Sequence, residues 1–189
     1  PVAINLKKYL GKWYEIARFD HIFERDMQKV TAEYKLLPNG NIQVINAGYK
    51  DGKFKETIGK AKTTDTSGLL RVSFFMNFYS DYRVLMIDKD YNYVLVGGNS
   101  PKYLWILSRT PQLDETTLQK IIDVAEEKGY DTDKLIFVEQ WTLIYYLKEK
   151  THQQYFFISK GIVDTSLQIA DRWLLTFSFQ FSVFNFQLF

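Results

Sequence analysis

The chain has no cysteine. That removes disulfides, thiolate metal sites, cysteine nucleophiles and lipid attachment through a cysteine within these residues. It has two histidines, His21 and His152, and no G-x-S-x-G segment, which leaves little material for proton transfer or acyl chemistry. "GKAKTT" (59–64) lacks the earlier glycine that a phosphate-binding loop requires, and Asp88 and Asp90 lie together where a turn is expected rather than a catalytic pair. A metal site would have to be built from carboxylates alone, with no recognisable loop motif. An excess of either charge is also missing. Lys and Arg number 24 against 22 Asp and Glu, and the basic residues are scattered, so nothing marks a nucleic-acid surface. No basic and apolar leader opens the chain, so Pro1 reads as the start of a mature or trimmed form.

What the sequence has in abundance is aromatic residues, 17% of the total, with 13 Tyr and 15 Phe. They favour strands and apolar cavities over a helical bundle. From residue 29 to 109, short runs rich in β-branched and aromatic residues alternate with turn chemistry. "VTAEYKLL" (30–37) precedes Pro38-Asn39-Gly40-Asn41, and "IQVINAGYK" (42–50) precedes Asp51-Gly52. Further runs follow at 53–64, 69–75, 82–89, 93–98 and 103–109. With an opening strand over 12–19, the sequence predicts eight antiparallel strands in up-and-down order, enough to close a barrel that holds one small ligand. After Pro111 the period changes from 2 to 3.6. Asp114 is the expected N-cap, Leu118, Ile121, Ile122 and Ala125 form one apolar stripe, and Gly129 closes a helix over 114–128 that should lie on the barrel's outer wall. "KLIFVEQW" (134–141) reads as a short ninth strand.

The first 141 residues therefore form one expected domain. Residues 142–189 differ in character, holding eight of the 15 Phe and a single Gly, and ending in the uncharged alternation "TFSFQFSVFNFQLF". Their composition fits one apolar strand face or an aggregation-prone run better than a membrane helix, and it assigns no role to the extension.

Three short motifs fall in order along the predicted barrel. Gly11-Lys12-Trp13-Tyr14 comes before the first strand, Ser80-Asp81-Tyr82 ahead of the sixth, and Arg109 closes the eighth before the helix. Together they resemble the signature of the lipocalins. "YLGKWYEIARFDHIFERDMQKVTAEY", "VSFFMNFYSDYRVLMIDKDYNYVLVGG" and "YLWILSRTPQLDE" are similar to one branch in particular, the bacterial outer-membrane lipocalins and the apolipoprotein D-like proteins related to them. The resemblance covers roughly residues 4 to 141. It implies an all-β, eight-stranded up-and-down barrel closed at one end, with a C-terminal helix on its outer wall. It also implies a fatty acid or lysophospholipid bound inside for storage or transport, without catalysis or cofactor. The bacterial cell envelope, on the periplasmic side of the outer membrane, is the compartment the branch implies, through a lipidated cysteine these residues do not contain.

On this reading Trp13 plugs the floor of the barrel and needs a partner for its indole N–H. Arg109 is the candidate to stack on the indole, and Gly11 lets the chain pass beneath. Strict alternation, with the less charged face inward, predicts a cavity lining of Ala32, Tyr34, Val44, Asn46, Val72, Phe74, Val84, Met86, Tyr93, Leu95 and Trp105. The resemblance implies that the segment 19–28 acts as a lid, with Phe23 and Met27 touching a ligand's chain, while its mixed composition equally fits an ordinary amphipathic loop covering the barrel rim, with Arg18, Arg25 and Lys29 available either to a headgroup or to solvent. The competing reading is a solid barrel acting as a structural or interaction module, pairing with a second copy or a membrane through exposed aromatic surface. A lipocalin-type enzyme or isomerase is a third.

Overall fold

A computed structural model describes residues 1–140, so the expected extension 142–189 and the last residue of the predicted ninth strand, Trp141, lie outside the described residues. A four-residue helix α1 (Leu6–Tyr9) comes first, its N-cap Asn5 accepting from the Lys8 N–H at 3.3 Å. Eight strands follow: β1 (Gly11–Phe19), β2 (Gln28–Leu36), β3 (Ile42–Lys50), β4 (Lys53–Thr63), β5 (Leu69–Ser73), β6 (Ser80–Ile87), β7 (Tyr93–Gly97) and β8 (Leu104–Ser108). Each pairs antiparallel with its successor, and β1 pairs with both β2 and β8, so the sheet closes. Helix α2 (Glu115–Glu127) and a short β9 (Leu135–Phe137) complete the order.

The hairpin turns form where the sequence places them, for local reasons. Asn39 Oδ1 accepts from the Asn41 N–H at 3.0 Å across the first turn. Asp51 and Gly52 take φ of +52° and +70°, the left-handed pair a tight hairpin needs. Asp88 Oδ2 accepts from the backbone N–H of Asp90 and Asn92, so its role is that of a turn.

The sheet has two apolar faces. Inside, Trp13, Tyr34, Val44, Leu70, Val84, Val94 and Val96 pack with Tyr9 into one cluster that fills the end of the barrel where β1 begins. Outside, Leu95, Leu104 and Ile106 meet Ile121 and Ala125 of α2, whose N-cap Asp114 accepts from the Thr117 N–H at 2.9 Å. β9 pairs with the second half of β1, from Ala17 to Phe19, where β2 has left it. Gln140 secures that seam, its buried side-chain amide donating to the carbonyls of Glu15 and Val30 at 2.7 and 2.8 Å.

Three register shifts interrupt the described strands, one of them in β2 between Gln28 and Thr31, and the other two set the faces of the candidate site residues. In β6 the register shifts between Val84 and Met86, and in β1 it shifts between Glu15 and Ala17. Each shift moves the following residues to the opposite face of the sheet.

Candidate site in the barrel interior

At the closed end the chain enters β1 through Gly11 at φ +95°, and a Cβ there would meet Arg109 Nη1 at 3.4 Å. Trp13 is fully buried, and its Nε1–H donates to the Tyr9 carbonyl at 2.9 Å. The Arg109 guanidinium lies 3.7 Å from the indole centroid. Its N–H groups donate to the carbonyls of Lys8, Tyr9, Leu10 and Lys12 at 2.7–3.0 Å, which ties α1 and the start of β1 to the end of β8. Above the indole, Tyr82 joins the hydroxyls of Tyr9 and Tyr34 at 2.6 and 2.8 Å. Burial pushes all three phenols above their usual range, so they stay neutral donors and acceptors.

The opposite end differs. Thr57 and Ser80 stand at the interior register of β4 and β6, opposite Asn46 and Val72, and Phe74, just past the end of β5, lies against Gly59, yet all three remain exposed. Phe74 is 42% exposed although its ring occupies the place a Cβ on Gly59 would take. Accessible interior positions above a sealed floor describe a cup.

Of the predicted lining, Ala32, Tyr34, Val44, Asn46, Val72, Phe74, Val84 and Trp105 stand on the interior side. Tyr34, Val44 and Val84 belong to its packed floor, and Asn46, Val72, Phe74 and Trp105 to the accessible part. Met86, Tyr93 and Leu95 are corrected: they pack on the outer face under α2. The β6 bulge carries Met86 across the sheet, and the pairing of Val96 with Trp105 puts Val94 and Val96 inside in place of Tyr93 and Leu95. Strict alternation has no means of locating a bulge.

The β1–β2 loop departs further from expectation. Phe23, expected to reach the interior, is 83% exposed, and only Met27 leans inward, its Cε where a Cβ on Gly48 would sit. Glu24 enters instead. Its Oε1 accepts from Asn46 Nδ2 and its Oε2 from Trp105 Nε1, both at 3.2 Å, and His21 Nε2 lies 2.7 Å from Oε2. Arg18, read as a headgroup partner or a solvated charge, is buried. It pairs with Glu15 at 2.7 Å and donates to the Glu24 and Met27 carbonyls at 2.6 and 3.3 Å. Arg25 remains at the surface, paired with Asp20 at 2.7 Å, and the Lys29 Nζ lies 5.7 Å from the Tyr49 ring centroid. Burial, with the Glu24 charge behind it, pushes the Glu15 carboxyl well above the usual carboxylate range. Burial also acts to raise Glu24, but His21, the Trp105 N–H and Arg18 outweigh it and hold that carboxylate below its ordinary value. Sequence reasoning missed this cluster because an inward charge looks like a solvated one. The available signal was the crowding of Glu15, Arg18 and Glu24 around an otherwise apolar strand end.

Among the described residues no group of three or more His, Asp or Glu side chains is placed to hold a metal ion, and no helix is long and apolar enough to cross a membrane. Residues 4–140 match the Lipocalin-like domain family. The chain is 48% identical over 146 residues to the outer membrane lipoprotein Blc of Vibrio cholerae, covering 74% of this chain and 85% of that protein. It is 48% identical over 140 residues to Blc of Escherichia coli, covering 72% and 79%. Mouse apolipoprotein D is 34% identical over 153 residues, covering 74% and 80%. Among solved structures, insecticyanin of the tobacco hornworm superposes with a TM-score of 0.63 at 22% identity, covering 77% of this chain and 85% of that one, a likeness of fold.

Proposed function

The chain belongs to the lipocalin family, and from that premise we propose that it is a lipid carrier holding one acyl ligand, a fatty acid or lysophospholipid, in the upper half of the barrel. The observation that carries the reading is the contrast between the two ends. The floor is sealed by Trp13, Arg109 and the three tyrosines, while Val72, Phe74 and Trp105 remain accessible from the other end. Desolvating an acyl chain against such a wall contributes about 0.8 kcal/mol per methylene, so roughly twelve methylenes supply up to about 10 kcal/mol before the costs of ordering the chain. A solid interaction module would not leave these interior positions open.

Access to a lipid surface fits the same end of the molecule. Ile22 and Phe23 on the β1–β2 loop and Phe75, Met76 and Phe78 on the β5–β6 loop are all more than two-thirds exposed, and both loops stand at the open end. The Phe75 and Phe78 rings stack with centroids 6.3 Å apart. Clustered exposed apolar side chains around a cavity mouth suit contact with acyl chains. The outer-membrane relatives make the periplasmic face of that membrane the compartment we assign. Titration with a fluorescent fatty acid should give saturable one-site binding. Failure of any acyl ligand to displace it at micromolar concentration would contradict the reading.

A further inference from the structure

The carboxylate inside the mouth calls for a reason. Burying an ionised carboxyl costs several kcal/mol unless partners replace its water, whereas turning Ile22 or Phe23 inward would close the mouth at no such cost. The loop does the opposite, leaving Ile22 and Phe23 at 75% and 83% exposure and inserting Glu24. The groups that receive Glu24 come from opposite walls. Asn46 is on β3 and Trp105 on β8, and both would remain in place with the loop displaced. Arg18, from β1, lies behind them, its charge favouring the Glu24 anion. The fit is incomplete. Arg18 Nε, both ring nitrogens of His21 and Asn46 Oδ1 are buried without a hydrogen-bond partner among the described residues, so His21 meets Glu24 at contact distance but off the hydrogen-bonding direction. A barrel wall that presents donors to one carboxylate, and keeps the buried Arg18 Nε–H to spare beside it, is built for another.

We infer that Glu24 stands in for the carboxylate of a long-chain fatty acid, which takes its place on Asn46 and Trp105, in the field of the Arg18 charge, and lays its chain over Trp105, Val72 and Phe74. The inference rests on the acyl-binding reading and deepens it. The loop turn, closed by Glu24 N–H to the His21 carbonyl at 3.2 Å and Met27 N–H to the Glu24 carbonyl at 3.0 Å, opens when the ligand's headgroup arrives. An acyl chain with a neutral head lacks the charge that those donors and Arg18 favour, and leaves Glu24 seated. Self-occupation lowers the apparent affinity for the anionic ligand, because the receptive state is only part of the population.

The test uses oleate and oleyl alcohol with the full chain. Glu24→Ala should tighten oleate binding on the order of tenfold while changing oleyl alcohol little, a difference of about 1.4 kcal/mol. In the wild-type chain, oleate should accelerate amide hydrogen exchange at residues 22–27, and oleyl alcohol should not. Oleate binding unchanged or weakened in Glu24→Ala, or exchange at 22–27 unaffected at saturating oleate, would overturn the inference and leave the carrier reading standing. Absence of binding by either compound, in either chain, would overturn both.

Discussion

Trp13 shows how one side chain can stabilise the whole floor. It is fully buried, its N–H is satisfied by Tyr9, and its ring supports the guanidinium that gathers five carbonyls, those of Lys8, Tyr9, Leu10, Lys12 and Tyr91. Trp13→Ala should lower unfolding stability by about 3–5 kcal/mol, read as a shift of the urea midpoint, since the cavity adds to the lost burial. A change under about 1 kcal/mol would mean that the floor is sealed by other groups. Glu15 gives a prediction with a sign. Its folded pKa is raised, so the stability it confers is complete below its unfolded value, near 4.5, and is lost as pH rises toward the folded one. Glu15→Gln, whose amide resembles the protonated acid, should therefore gain thermal stability relative to wild type as pH rises from 4 to 8, at roughly 2–4 °C per kcal/mol. A constant difference across that range would contradict the assignment. The roles of Gly11, Trp13 and Arg109 were legible in the sequence because each demands a particular residue type. Those of Glu15, Arg18 and Glu24 were not, because their meaning lies in which face they take.

At the scale of elements, turn chemistry and period placed all eight barrel strands and α2 to within about two residues, and the turn residues explain why. α1 escaped notice because four residues carry no helical period. The bulges escaped because nothing in a run such as "YRVLMI" distinguishes a strand that shifts register from one that does not, which is why Met86 exchanged faces with Ile87, whereas Tyr93 and Leu95 exchanged with Val94 and Val96 because both faces of "YVLV" are uncharged and only the pairing with Trp105 chooses between them. The β5–β6 loop carries its own prediction. Phe75→Ser with Phe78→Ser should leave the fold intact, since both rings are exposed, and reduce cosedimentation with lipid vesicles several-fold. Undiminished sedimentation would remove the membrane-facing role of this loop.

For the molecule as a whole, the fold was legible because three motifs fell in order between elements of the right type. The cup was less so, since the same alternation fits a solid barrel until accessible interior positions are seen. The domain limit proposed near residue 141 predicts that a chain ending at Lys150 folds and binds an acyl ligand unaided, with circular dichroism and ligand titration as readouts. Loss of folding would move the boundary into the aromatic extension. The central claim is that the acyl chain lies in the upper barrel, against Trp105 and away from Trp13. Quenching of tryptophan emission by a fatty acid brominated along its chain tests it most directly, with binding followed independently by calorimetry. Saturable quenching is expected, which Trp105→Phe largely removes and Trp13→Phe leaves in place. Quenching that survives in Trp105→Phe, or that never saturates, would contradict it.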